Sequence, residues 1–188
     1  MEDKQKKIYF VDIDETVFHT TALVYVVENE NIKKTLDNTE FNTYELKSGE
    51  KYSFVEFQNA KKFYDESRPI ESVIRKVSKH ILNNERVVFL TARSTPDDKV
   101  LFDETFKKYD MNIGNENVSF EFVGDKVGSV NENKKQVISE YLKESLYDKI
   151  TMYDDCIKNL DSFLELDIGL KQKFKAYTVR DEKLEKYR

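Results

Sequence analysis

Residues 9–18 read YFVDIDETVF, an apolar run that abruptly carries Asp12 and Asp14 on either side of Ile13, then Glu15 and Thr16. The residues just before, Ile8 to Val11, are continuously apolar, the pattern of a strand buried on both faces of a parallel sheet. In an open parallel sheet, ligands bind outside the carboxyl ends of the strands, which is where Asp12 and Asp14 fall. Two residues apart on an extended chain, their side chains point the same way unless the chain turns as the strand gives out. Such a pair suits a hard divalent cation, which takes oxygen ligands.

Outward from this stretch the pattern recurs. VVFL (Val87 to Leu90), ITMY (Ile150 to Tyr153) and FKAYTV (Phe174 to Val179) are further strand candidates, and SFEF (Ser119 to Phe122) is another. Between them lie apolar residues at helical spacing: Ile70, Val73, Ile74, Val77 and Ile81; Leu101, Thr105, Phe106 and Tyr109; Val137, Ile138, Tyr141 and Leu142; Ile157, Leu160, Phe163 and Leu164. Alternating strand and helix predicts an α/β fold, a Rossmann-like, mainly parallel sheet with helices on both faces. One helix start is marked, with Thr95 as cap, Pro96 in the first turn, and Asp97 and Asp98 facing the positive end of the dipole.

The stretch from Val17 to about Pro69 breaks the alternation and is far longer than an ordinary connection, so residues 20–66 read as a small cap or flap inserted after the first strand. Within it, Tyr44 and Leu46 face Tyr52 and Phe54 across KSGE, which predicts a hairpin. Phe57, Ala60, Phe63 and Tyr64 then predict a helical return.

The whole chain of 188 residues, 39% hydrophobic, suits a single domain carrying this appendage. Charged residues make up 36% of it, but the signs are mixed and the net charge is −5, which favours neither a nucleic-acid binder nor an acidic tail. Cys156 is the only cysteine, which fits a reducing compartment. Met1 to Lys7 is charged and the apolar run behind it is broken at Asp12, unlike a secretory signal, and ALVYVV is too short to cross a bilayer. The expectation is a soluble cytoplasmic protein with no membrane partner.

The other strand candidates also end in chemistry. MYDDC places Asp154 and Asp155 after an apolar run, a second carboxylate pair. FLTARS supplies the hydroxyl of Thr91, backbone donors and Arg93, groups that suit phosphate oxygens. Lys134 and Lys135 stand ahead of the helical spacing that begins at Val137, a cationic position that works against the helix dipole unless an anion is near.

In this order the residues resemble the haloacid dehalogenase superfamily of phosphohydrolases, over a span from Ile8 to about Leu164. The resemblance rests on Asp12-Ile13-Asp14-Glu15-Thr16, Thr91 in FLTAR, a lysine opening a helix, and Asp154-Asp155. It implies a magnesium-dependent phosphatase in which Asp12 attacks phosphorus to form an aspartyl-phosphate, while Asp14 protonates the leaving oxygen and later activates water. It also implies a magnesium ion between the Asp12 carboxylate, the Asp14 main-chain carbonyl and Asp154, with Asp155 as further ligand or support. Thr91 and a lysine would bind the phosphoryl group, Lys134 rather than Lys135 because the family's lysine precedes a helical apolar pair by three residues, and Arg93 joins them as a phosphate-binding candidate on its place beside Thr91 alone. An acid at position 14 favours a phosphatase or mutase over a phosphate-pump ATPase, and Glu15 makes the motif more like the acid-phosphatase branches. The inserted stretch resembles uncharacterised members of the superfamily from large tailed phages, which would place the protein in the host cytoplasm; no settled substrate comes with that likeness.

Each residue also has a plainer reading. Acids often end strands as solvated turn formers, either Asp154 or Asp155 can cap the helix near Ile157, and Thr91 can be a turn hydroxyl. Arg93 can be a structural ion pair, His19 an idle loop histidine, His80 part of a helix face, and Cys156 a packed small side chain. GDKVG lacks the spacing of a phosphate loop. The aromatic residues Phe41, Tyr44, Tyr52, Phe54 and Phe57 read first as the insertion's own core, with a minority of them free to line a base-stacking or lid surface over the site. The expected substrate is a small phosphorylated metabolite such as a nucleotide. The alternatives are a module that binds a nucleotide or a protein without turnover, a nucleic-acid 3′-phosphatase, which would want a basic track, and a structural scaffold.

Overall fold

The computed structural model describes residues 6–144, 147–167 and 172–188, so residues 1–5 of the charged start lie outside it. The core strands are β1 (Lys7–Val11), then, after an excursion containing β2 (Phe18–His19), β3 (Val24–Glu28), β4 (Asn31–Leu36), α1 (Asn38–Thr43), β5 (Lys51–Ser53), α2 (Ala60–Glu66) and β6 (Arg68–Pro69), the helix α3 (Glu71–Leu82) and strand β7 (Arg86–Thr91). They continue through α4 (Lys99–Lys107), β8 (Val118–Phe122), α5 (Val130–Glu144), β9 (Lys149–Tyr153), α6 (Ile157–Leu164), β10 (Lys173–Arg180) and β11 (Lys183–Lys186).

The main sheet has the order β11-β10-β9-β1-β7-β8, and every pairing is parallel except that of β10 with β11. The expected mainly parallel α/β architecture is therefore present. Alternate residues of β1 serve two cores, which is why the strand is apolar without interruption. Tyr9 and Val11 pack with Val73, Val77 and Phe106 of α3 and α4, whereas Ile8 and Phe10 pack with Ile138, Leu160 and Phe163 of α5 and α6. Helices thus cover both faces. The lysine-bearing edge β11 turns back through Asp181 and Glu182, both at positive φ, and blunts the sheet edge with charge. Its sequence, KLEK, carries no apolar run and was not anticipated as a strand.

His80 is not merely one face of a helix. Its Nδ1 lies 2.6 Å from Glu85, its Nε2 3.0 Å from the Tyr153 hydroxyl, and its ring stacks on Tyr9 at 3.7 Å. Burial holds its pKa below that of a free histidine, the Glu85 contact working the other way.

The insertion leaves and returns through paired β2 and β6, Phe18 opposite Pro69 and His19 opposite Arg68. Its sheet has the order β4-β3-β5, and the hairpin is β3 with β4, not the predicted pairing across KSGE. The turn is Asn29-Glu30, both at positive φ, the geometry of a two-residue loop whose twist matches the strands. Tyr52 lies in β5 opposite Val26, while Tyr44 caps the end of α1 and its ring reaches Tyr52 edge-on. The alternation of aromatics around KSGE reflects shared packing rather than strand pairing.

The start of α4 also differs from expectation. Asp98 is the cap, its side chain accepting from Leu101 N–H at 3.0 Å. Thr95 instead donates its N–H to Asp125, and Asp97 accepts from Ala60 N–H at 2.9 Å, so the preceding segment holds the insertion and a neighbouring loop. Among the described residues no helix is long and apolar enough to cross a membrane.

Candidate active site

Sheet register decides which side chains meet. Val11 pairs with Tyr153, so the next residues, Asp12 and Asp154, leave the sheet side by side, and Asp12 N–H donates to Tyr153 O at 2.9 Å. β1 is the point at which the strand order reverses, with β9 on one side and β7 on the other, where a parallel sheet opens a crevice at its carboxyl edge. Carboxylate oxygens of Asp12, Asp154 and Asp155 lie within 4.8 Å of one another.

Lys134 occupies the centre. Helix α5 begins at Val130, so Lys134 is inside it and not ahead of it as its sequence suggests, and the side chain is 1% exposed. Its Nζ lies 2.6 Å from Asp12 Oδ1 and 2.7 Å from Asp154 Oδ2. Lys135, one residue on, points outward to Glu165. Of the two lysines, geometry brings only Lys134 to the acids.

Asp14 does not join this cluster through its side chain. The chain turns at once after Ile13, whose carbonyl accepts the N–H groups of Val17 and Phe18, and Glu15 adopts φ 55°. Asp14 is thereby turned toward β7, where Arg93 holds it in a two-point pair, Nε to Oδ2 at 2.9 Å and Nη2 to Oδ1 at 2.7 Å. Thr20 donates a further hydrogen bond at 2.7 Å. Arg93 is 1% exposed, gives Nη1 to the Phe57 carbonyl at 3.1 Å, and lies over the Phe63 ring at 4.1 Å. Its guanidinium, grouped in the sequence with the phosphate-binding residues, is here engaged with Asp14 and the insertion.

Thr91 is fully buried and its hydroxyl accepts from Arg93 N–H at 3.1 Å, fixing the bend that leads from β7 to Arg93. Gly124, the first residue of GDKVG, permits this bend: a Cβ there would lie 2.4 Å from the Ala92 carbonyl and 2.6 Å from Ser94 N. Gly124→Ala is expected to destabilise the fold by about 2–3 kcal/mol, because backbone must move on both sides. Urea unfolding measures it, and an unchanged midpoint would mean that the bend is not held here.

Two polar residues complete the support, Thr16 of the DIDET motif and Asn159, which the sequence did not single out. Thr16 Oγ1 accepts from Asp155 N–H at 3.1 Å and joins the loop after β1 to the loop after β9. Asn159 donates its side-chain amide to both oxygens of Asp154 at 3.0 Å, and Cys156 N–H donates to Oδ1 at 2.9 Å. The N-cap of α6 is Cys156, without a side-chain cap bond, so neither aspartate occupies that position. A polar residue on the first turn of the helix after Asp154-Asp155 is the signal by which Asn159 was findable; Thr20 had none. His19 lies between Glu15 at 2.8 Å and Glu182 at 3.4 Å. Burial pushes the Cys156 thiol above its ordinary pKa, which keeps it protonated and inert.

The electrostatics call for a cation. Burial raises the Asp12 carboxyl well above the usual carboxylate range; Lys134 opposes this, and Asp154, Asp155 and Asp14 add to it. Asp155 is pushed up to about 7, by burial first and by Asp154 second. For Lys134, burial disfavours the ammonium but the attraction of Asp12 and Asp154 outweighs it, so the lysine stays charged. One lysine set among three clustered acids leaves negative charge uncompensated, and all the donors are hard oxygens, the chemistry that magnesium accepts. The residues present therefore fit such an ion. Asp154 already gives both oxygens to Lys134, Asn159 and Cys156 N–H, whereas Asp12 gives one to Lys134 and Asp155 accepts a long 3.5 Å contact from Thr16.

Next to the acids opens a cavity of about 340 Å³. Asp12, Asp14, Asp155 and Lys134 line its floor, and Phe41, Tyr44, Tyr52, Phe54 and Phe57 of the insertion line it too. These aromatics also pack with Val24, Val26 and Leu36 as the insertion's own core, the first reading made from sequence. No protein-family model matches the chain, and no curated protein matches it.

Proposed function

We propose that the protein is a magnesium-dependent phosphomonoesterase, working on a small phosphorylated metabolite through an aspartyl-phosphate, as its resemblance to the haloacid dehalogenase superfamily implies. The observation that supports this most is the meeting of Asp12, Lys134 and Asp155, from three separate segments, on the wall of one cavity, with Asp154 buried behind them against Lys134.

In this reading an Asp12 oxygen attacks phosphorus as the ester P–O bond breaks, and the departing oxygen takes its proton from Asp14. Water then attacks the phosphorus of the aspartyl-phosphate and gives its proton to Asp14. The products are the alcohol and inorganic phosphate, and Asp12 is regenerated. A two-point guanidinium pair suits a carboxylate, the form in which Asp14 receives the water's proton, so Arg93 and Thr20 hold Asp14 ready for the second half. Lys134 keeps Asp12 oriented and offsets charge that builds on the phosphoryl oxygens. Asp12, Asp155 and the Asp14 main-chain carbonyl would hold magnesium, with Asp154 beside them, and the ion, when bound, supplies the charge neutralisation that brings an anionic ester up to buried carboxylates.

Incubating the purified chain with p-nitrophenyl phosphate tests this. Phosphate release is expected with magnesium and its loss on adding a chelator. An absence of release across a panel of phosphomonoesters in magnesium would refute it.

A further inference from the structure

We infer that the substrate is a nucleoside monophosphate, its base lodged against the aromatic wall that the insertion places over the acids. This rests on the phosphatase reading and names the substrate class for that site.

The wall presents carbon. The Tyr44 hydroxyl donates to Glu50 at 2.9 Å and the Tyr52 hydroxyl to the Tyr44 carbonyl at 2.8 Å, so both phenols are already tied inside the insertion. Phe41 meets Tyr52 edge-on at 5.0 Å and Phe54 at 5.6 Å, which locks the rings of the wall against one another. Phe57 is held by two neighbours, packing on Phe54 at 6.0 Å and lying beneath the Arg93 guanidinium at 5.2 Å. A polyol or a sugar phosphate placed here would set its hydroxyls against rings that offer no donor or acceptor, whereas a nucleobase has a flat face that gains by contact with them.

Size and charge narrow the class further. A cavity of about 340 Å³ lies near the lower end of small-molecule sites, and so suits one nucleoside rather than a polymer. Among the described residues the cations on it are Lys134, already shared by Asp12 and Asp154, and Lys158 at its rim. Additional phosphates would face Asp14, Glu15 and Asp155 with Lys158 alone, among the described residues, to meet them, which disfavours di- and triphosphates. Ser129, just before α5, and Asn131, in its first turn, add polar side chains to the lining.

Phe54→Leu and Phe41→Leu keep an apolar side chain in the insertion's core but remove the ring face, and circular dichroism checks that each folds. Kinetics are compared on adenosine 5′-monophosphate and on glycerol 2-phosphate, both in magnesium. In the wild type the nucleotide is expected to have the lower KM by about ten-fold or more. Either leucine variant is expected to raise KM for the nucleotide about ten-fold while kcat, and KM for glycerol phosphate, stay within about two-fold. Equal KM values in the wild type, or parallel losses on both esters, would overturn the inference and leave the phosphatase reading standing. Should neither ester be hydrolysed while p-nitrophenyl phosphate is, the inference is overturned and the phosphatase reading stands; should no phosphomonoester be hydrolysed, the phosphatase reading falls, and calorimetry with adenosine 5′-monophosphate in magnesium decides the rest: binding that the leucine variants weaken supports the aromatic site, and no binding to the wild type overturns it. Should both variants misfold, Tyr44→Leu under the same two esters gives the same decision, since its ring lies at the edge of the wall.

Discussion

Asp12→Asn is expected to lower kcat for any hydrolysed phosphomonoester by at least about 10⁴-fold while leaving the fold intact, because the amide cannot form the phosphoryl bond that the carboxylate forms. The two halves of this expectation come from different features. Loss of turnover follows from the position of Asp12 at the strand end beside Lys134, Asp154 and the cavity. Retention of the fold follows from its electrostatics. Asp12 is 6% exposed; burial first, and then the neighbouring acids, hold its pKa up, so removing its charge relieves the cost of burying it and the repulsion even as Lys134 loses one of two partners. A thermal melt should therefore show a melting temperature equal to or above that of the wild type. Turnover at the wild-type rate in the same preparation would remove Asp12 as nucleophile.

Lys134→Met should do the opposite to stability. The lysine is the only cation that bonds both Asp12 and Asp154 among the described residues, and replacing it leaves two buried carboxylates with no cation between them. Removing one partner of a buried charge set costs about 3–5 kcal/mol. For a protein of this size that corresponds to roughly 6–20 °C in melting temperature. Magnesium is expected to restore part of the loss, since an ion among Asp12, Asp154 and Asp155 supplies the missing charge, although hydrolysis should not return. Lys135→Met is the matched control: its ammonium reaches only Glu165 on the surface, and the melting temperature should not move. Equal effects at the two positions would show that the buried lysine does not hold the acids together.

The strands were legible because a sheet covered on both faces demands apolar residues at every position, and IYFV, VVFL and ITMY meet that demand within a residue of their observed ends. Acids placed immediately after such runs had to emerge at the carboxyl edge, so the residues of the cluster were readable as types and places. Helix α5 was read late for an equally physical reason. Its first turns carry Asn133 and Lys134, 6% and 1% exposed, the one turned to the Lys126 carbonyl and the other to the acids, so both look like surface residues in sequence. The hairpin of the insertion was misread because its turn, Asn29-Glu30, lacks glycine, and because the aromatics around KSGE follow the wall of a cavity instead of a strand ladder.

By itself the sequence determined the layered α/β plan and the acids at two strand ends, since burial on both sides and the two-residue strand period act locally along the chain. Only the tertiary structure decided the partners: Arg93 with Asp14 across 79 residues, Lys134 with Asp12 across 122, and the insertion's rings above both. Such pairings depend on strand order and register, which bring distant segments within hydrogen-bond reach and leave no periodic trace in any one of them.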